Sequence, residues 1–293
     1  MLQSCQGFFR LSRMIEPLLA GGDLLANIAQ PASSADSFRM WWLGQSGFLI
    51  QWQGGHLLMD PYLSDSLAAK YAGTDLPHTR MTRCPVAPEK LTFIDAVTAS
   101  HAHTDHLDPG TVVPVLEASP EARLIVPGSA YETALERVPG FRDRICTIEA
   151  GSSVEVSGFE ITAIPSAHEG IDTDEIGRHR FLGYIVRMGP WTVYHSGDTV
   201  LYDGMADELK RYRIDVALLP INGRCGRVAG NLNASEAAWL GKAIDAQLVI
   251  PCHYDMFAFN TGNVEEFVAA AKERQQSYAV LRCGEAWAMR RQL

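Results

Sequence analysis

Paired cysteines are missing from this sequence. Its six, Cys5, Cys84, Cys146, Cys225, Cys252 and Cys283, lie far apart and form no C-x-x-C. That spacing argues against a zinc knuckle, a thioredoxin-like pair or a disulfide-dense scaffold, and free thiols in a reducing cytosol are expected. No apolar run is long enough to span a bilayer. The N-terminus carries Arg10 and Arg13 around Phe8 and Phe9 but lacks a sustained apolar stretch and a cleavage site, so a cytoplasmic location is expected. Positive charge is short as well: 25 Lys and Arg against 34 Asp and Glu give a net charge of -9. Such a surface repels a polynucleotide backbone, and no basic patch offsets it. A small-molecule substrate is the expected partner.

What is present is core and histidine. At 293 residues and 47% hydrophobic, the chain can bury one substantial core or two small ones. Residues 1–36 read as an extension and linker, and residues 37–293 as the functional domain. Short apolar runs at 39–43, 48–52 and 56–59 read as meandering strands. The run at 94–100 reads as a buried strand. Beyond it the chain reads His101-Ala-His103-Thr-Asp105-His106. Three imidazoles and a carboxylate leave one strand end within six residues. These groups suit zinc, or harder ions such as manganese or iron. Alternate residues of an extended segment point the same way, so His101 and His103 can grip one ion. Asp105 and His106 can face a second. Asp60, before Pro61, reads either as support for this loop or as a turn residue.

Three later strands also end in metal-compatible groups: His168 follows 159–164, Asp198 follows 191–194, and His253 follows 248–250. A helix is predicted at 129–138 with a Ser129 cap and Glu132 at the third position, a capping box. Asn233 with Glu236, and Asn263 with Glu266, predict two more helix starts. A helix broken at Gly21-Gly22 is predicted over 15–28, and a closing hairpin about Gly284 over 278–289. Taken singly, each late donor also reads as an ordinary loop or core residue. Taken together they complete two sets. His101, His103 and His168 would hold one ion; Asp105, His106 and His253 the other; Asp198 would bridge.

H-x-H-x-D-H after a strand, then a His, a Gly-Asp and a late His, resembles the metallo-β-lactamase superfamily. The resemblance implies an α/β fold, a four-layer αββα sandwich with its site at one edge of two facing sheets. Met40-Trp-Trp-Leu-Gly44, Tyr194-His-Ser-Gly-Asp198, Ile214-Asp-Val-Ala217 and Val249-Ile-Pro-Cys-His253 look like the L-ascorbate 6-phosphate lactonase branch, which has kinship with the N-acylphosphatidylethanolamine phospholipase D type. This implies hydrolysis of a small, anionic lactone by water activated between two divalent ions, Zn2+ or Mn2+. It also implies self-association. Asp105 would orient the water or take its proton, and His195 would orient Asp198 or touch substrate. An anionic substrate needs cationic or amide partners, for which Asn222, Arg224 and Arg227 are candidates on the loop after 214–219. The competing readings are a phosphodiesterase, and a non-enzymatic metal-binding or redox module on the same fold.

Overall fold

The computed structural model describes residues 14–32, 36–224 and 230–290. Strand β1 (Ser37–Gly44) has no polar alternation because both its faces are covered. Phe38, Met40 and Trp42 enter one core cluster, while Trp41 and Leu43 enter another. β1 pairs antiparallel with β2 (Gly47–Trp52), and β2 with β3 (Gly55–Met59). The sheet continues in parallel through β4 (Ala96–Thr98), β5 (Arg123–Pro127) and β6 (Ile145–Ile148). A second sheet begins with an antiparallel meander: β7 (Ser153–Val156), β8 (Phe159–Pro165), β9 (Leu182–Met188) and β10 (Trp191–His195). β11 (Val216–Pro220) and β12 (Leu248–Cys252) add in parallel to β10. β13 (Ala286–Arg290) then returns to the first sheet and pairs with β1.

The sheets face each other across the larger core, in which Phe48, Ile50, Tyr184 and Val193 are fully buried. Helices α1 (Gly21–Ile28), α3 (Pro109–Ala118) and α4 (Tyr131–Arg137) cover the outer face of the first sheet, with the short α2 (Ser66–Lys70) beside the loop that follows β3. α5 (Met205–Lys210), α6 (Ala234–Ala243) and α7 (Val264–Glu273) cover the second. This is the expected αββα sandwich. Among the described residues, no helix is long and apolar enough to cross a membrane.

Local expectations met mixed outcomes. Asn233 accepts a hydrogen bond from the Glu236 amide at 2.9 Å, and Glu236 returns the bond, completing a capping box. Asn263 caps α7 by accepting from the Glu266 amide at 3.1 Å, without the returned bond to its own backbone amide. Ser129 does not cap: it sits in a 3-10 turn and donates to the His179 carbonyl at 2.7 Å. The first helix starts at Gly21 rather than breaking there. Its Leu24 and Ile28 are buried against the first sheet, and Asn27 Oδ1 accepts from Trp41 and Arg39. Residues 278–289 form no hairpin. Tyr278 bridges to Val249 in the second sheet, while 286–290 pair with the first.

Candidate metal centre

Each donor sits just past the C-terminal end of its strand. β4 leads into His101–His106, β8 into His168, β10 into Asp198 and β12 into His253. Because these ends share one edge of the sandwich, residues far apart in the chain meet. His101, His103 and His168 offer ligand atoms within 4.8 Å of one another, and so do Asp105, His106 and His253. Asp198 lies between the sets. Its Oδ1 is 3.4 Å from His106 Nε2, and its Oδ2 is 3.7 Å from His253 Nε2 and 4.0 Å from His168 Nε2.

The first half of the site is braced by side chains. Asp60 is fully buried. It accepts from His106 Nδ1 at 2.5 Å and from the Ser100 amide at 2.8 Å, and the Ser100 hydroxyl also donates to it. That contact fixes the His106 ring so that Nε2 points at Asp198. Support of this kind orients a ligand imidazole and raises its basicity. Of the two readings of Asp60, the structure selects support. Gln45, in the left-handed region at φ 51, donates its amide to Asp105 Oδ2 at 2.9 Å and lies 3.0 Å from His253 Nε2. Arg137 reaches from α4 to the carbonyls of Ala102 and Leu107, at 2.6 and 3.0 Å, and holds both ends of the histidine loop. Sequence reasoning singled out neither Gln45 nor Arg137.

The second half is braced by backbone. His253 itself has φ 65, a conformation rarely adopted by a residue with a side chain, and its amide donates to the Gln45 carbonyl. Gly230, at φ 107, packs so closely on His168 that a Cβ there would lie 2.2 Å from the His168 carbonyl. Gly197, at φ 58, lets the Asp198 loop abut Ser100, where a Cβ would fall 2.7 Å from the serine Cβ.

The electrostatics favour cations. Burial opposes ionisation of Asp198, yet His106 and His253 outweigh it and hold its carboxyl well below the usual range. Asp105 is likewise held low, against burial, chiefly by His106. Burial opposes a proton on His106, but Asp198, Asp105 and Asp60 together push it well above the ordinary imidazole value. His101 is pushed well down by burial and by the neighbouring imidazoles. The carboxylates that favour a proton on His106 also favour a metal ion there. His106 Nε2 and Asp198 Oδ1 are buried and face each other without a hydrogen bond. Buried polar atoms left so are rare, and a divalent ion would engage both. The donors therefore fit divalent ions of the zinc or manganese type.

His195 does not reach the cleft. It is 1% exposed, with Nε2 donating to the Ser46 carbonyl at 2.9 Å and Nδ1 accepting from the Gly197 amide at 3.2 Å. It ties the Gln45 turn to the Asp198 loop, which fits the expected orienting role and not the expected contact with substrate. Asn222 and Arg224 are also absent from the described cleft lining. Asn222 donates to Asn260 Oδ1 at 2.7 Å, while Arg224 pairs with Glu236 and bonds the Asn231 carbonyl. The α6 cap thus claims the arginine that was expected to meet substrate. Arg227 lies outside the described residues.

The cleft in front of the donors encloses about 390 Å³. Its walls come from the 62–92 segment, from 257–260 and from α4. Residues 39–253 match the family described as the Beta-lactamase superfamily domain. The chain is 29% identical to a metal-dependent hydrolase of Methanopyrus kandleri over 238 residues, 80% of this chain and 92% of that one. It is 25% identical to a probable L-ascorbate-6-phosphate lactonase of Escherichia coli O127:H6 over 270 residues, 81% of this chain and 75% of the other. In fold it is similar to an isothiocyanate hydrolase from Delia radicum gut bacteria, with a TM-score of 0.68 at 20% identity over 86% of this chain and 99% of that one. A metallo hydrolase from Ignicoccus hospitalis gives 0.65 at 21% identity over 87% and 100%.

Proposed function

The chain belongs to the metallo-β-lactamase superfamily and is a metal-dependent hydrolase, and on that premise we propose that it opens lactones or closely related carboxylic esters with two divalent ions. The observation that carries this reading is the pair of three-donor sets with Asp198 between them. In this reading His101, His103 and His168 hold one Zn2+ or Mn2+, and Asp105, His106 and His253 hold the other. The ions supply Lewis acidity and bring the pKa of water toward neutrality. Asp105, anionic at neutral pH, orients the attacking water or takes its proton. Gln45 fixes the Asp105 carboxylate by its 2.9 Å bond. His195 acts as a positioning residue, setting the Asp198 loop against the Gln45 turn. The similarity to the probable lactonase supports an ester-type carbonyl as the point of attack. The free thiols of Cys84, Cys146, Cys252 and Cys283 support a cytoplasmic location.

The test is metal analysis of the purified protein followed by a lactone panel and bis(p-nitrophenyl) phosphate, with His103→Ala as control. Lactone turnover that is lost in the variant is expected. Diester turnover without lactone turnover would replace this reading with a phosphodiesterase. Two bound metals with neither activity would point to a binding or redox module.

A further inference from the structure

The cleft that holds the donors is also lined by a group of rings. Tyr71 and His78 stack at 4.2 Å with 21° between their planes. His78 meets Phe259 edge-on at 4.6 Å and Phe257 at 5.2 Å, and those two phenylalanines lie nearly parallel at 6.0 Å. The rings come from two segments distant in sequence, 71–78 and 257–259, brought to one face of the cleft. Phe257 is buried and serves as the floor, whereas Tyr71, His78 and Phe259 stay half-buried where they line the cleft. Tyr71 and Phe259 pack on the buried Tyr62, Leu67, Met256 and Phe257, and both also line the cleft. His78 adds no charge to this face. Burial pushes its imidazole down, and Nδ1 is engaged with the Leu76 carbonyl at 2.8 Å.

Among the described residues, cationic groups are scarce on the same cleft. Among its described lining residues the cations other than histidine are Lys70 and Arg137. Arg137 is committed to the histidine loop. Lys70 is exposed, with its ammonium 5.2 Å from the Tyr71 ring centre, and Glu169 sets an opposing charge on the lining. One exposed ammonium balanced by a carboxylate is a poor partner for a dianionic phosphate, which favours several converging donors. A ring face, by contrast, suits a flat apolar group, and stacked or edge-on aromatic contacts add to area burial. A space near 390 Å³ admits a substrate of about two fused rings, at the small end of ligand pockets.

We propose that Tyr71, His78 and Phe259 form a stacking platform that selects esters or lactones carrying an aromatic or otherwise planar ring beside the scissile carbonyl. The proposal rests on the hydrolase reading above and narrows its substrate from lactones and carboxylic esters at large to those that carry a planar ring. The platform holds the ring while the carbonyl faces the donor sets, so its effect is on selectivity between substrates.

The experiment compares dihydrocoumarin with δ-valerolactone as substrates of the zinc-loaded protein. In parallel, calorimetry compares their hydrolysis products, 3-(2-hydroxyphenyl)propanoate and 5-hydroxypentanoate, as ligands. The wild type is expected to favour the aromatic member of each pair by about tenfold or more. Phe259→Ala and Tyr71→Ala are expected to bring that ratio toward one at unchanged metal content. Phe259→Leu, which keeps the apolar volume but loses the plane, should give an intermediate ratio. Equal treatment of the two members by the wild type, or a preference that survives all three variants, would overturn the platform. If neither lactone turns over but the aromatic acid still binds preferentially through Phe259 and Tyr71, the lactone reading fails and the platform stands.

Discussion

The two sheets equip the same site in different ways. The first delivers His101, His103, Asp105 and His106 in one loop after β4 and holds them with side chains: Asp60, Ser100, Gln45 and Arg137. The second delivers His168, Asp198 and His253 from three strand ends and relies more on backbone geometry: glycines at 197 and 230 and a left-handed φ at His253 itself, with the His195 side chain tying the Asp198 loop to the Gln45 turn. Each donor set takes members from both sheets. A compact loop needs polar braces because its donors crowd and repel. Donors on separate strands depend more on the conformation of their own turns.

The comparison can be broken most severely at Asp198, which stands between the sets. Asp198→Ala should lower kcat/KM on the order of a thousandfold, and metal content should fall below that of the wild type by elemental analysis. Retention of full metal content would mean the sets do not share this carboxylate. The two kinds of brace come next. Asp60→Asn should weaken metal affinity by about 10–100-fold, read by competition with a chelator. Gly230→Ala should weaken it comparably by displacing His168. A Gly230→Ala protein with wild-type affinity would show that backbone bracing of the second half is unnecessary. Arg137→Ala removes two bonds from a charged donor to the histidine loop. It should cost about 1.5–3 kcal/mol of unfolding free energy in the metal-free protein, read from denaturant unfolding, with little change at His168 or His253.

The smallest effect is on pH. In the metal-free protein, burial holds His56, His78, His101 and His103 below the ordinary imidazole value of about 6.5. The unfolded chain therefore binds more protons at these four, and their contribution to stability falls as pH drops below that value. His106 runs the other way. Its raised value stabilises the fold below about pH 6.5, and this is lost as pH rises through the raised value. Four groups against one predict a denaturant midpoint that falls from pH 7 to pH 5 with chelator present. A midpoint that rises would mean His106 outweighs the rest.

These two modes of support also explain what could be read from the chain alone. His101–His106 announce themselves because the donors adjoin and metal chemistry needs no tertiary context to suggest it. His168, Asp198 and His253 acquire meaning only when several strand ends are counted together. Asp60 leaves a faint signal in Asp-Pro. Gln45 leaves almost none, being a turn residue beside Gly44 whose role depends on a donor 208 positions away. Arg137 is hidden among interleaved charges on a helix. Arg224 misleads for a physical reason: it lies on a loop beyond the right sheet edge, but a capping glutamate three residues into α6 claims it. The strands were legible through apolar runs and turns. The closing hairpin was not, because 278–289 divide between two sheets and no local pattern records that division.

The pairing of β13 with β1 has a consequence for the order in which the protein is made. Ser37 is matched with Arg290 and Trp41 with Ala286, so β1 waits until residues 286–290 have been synthesised before this edge is covered. Contacts this distant in sequence slow folding, because the intervening loop must close first. Until then β1 presents an open edge bearing Phe38, Met40, Trp41 and Trp42, the kind of surface that draws other nascent chains. Slowed translation before codon 286 would lengthen that interval, and chaperone demand during synthesis should track it.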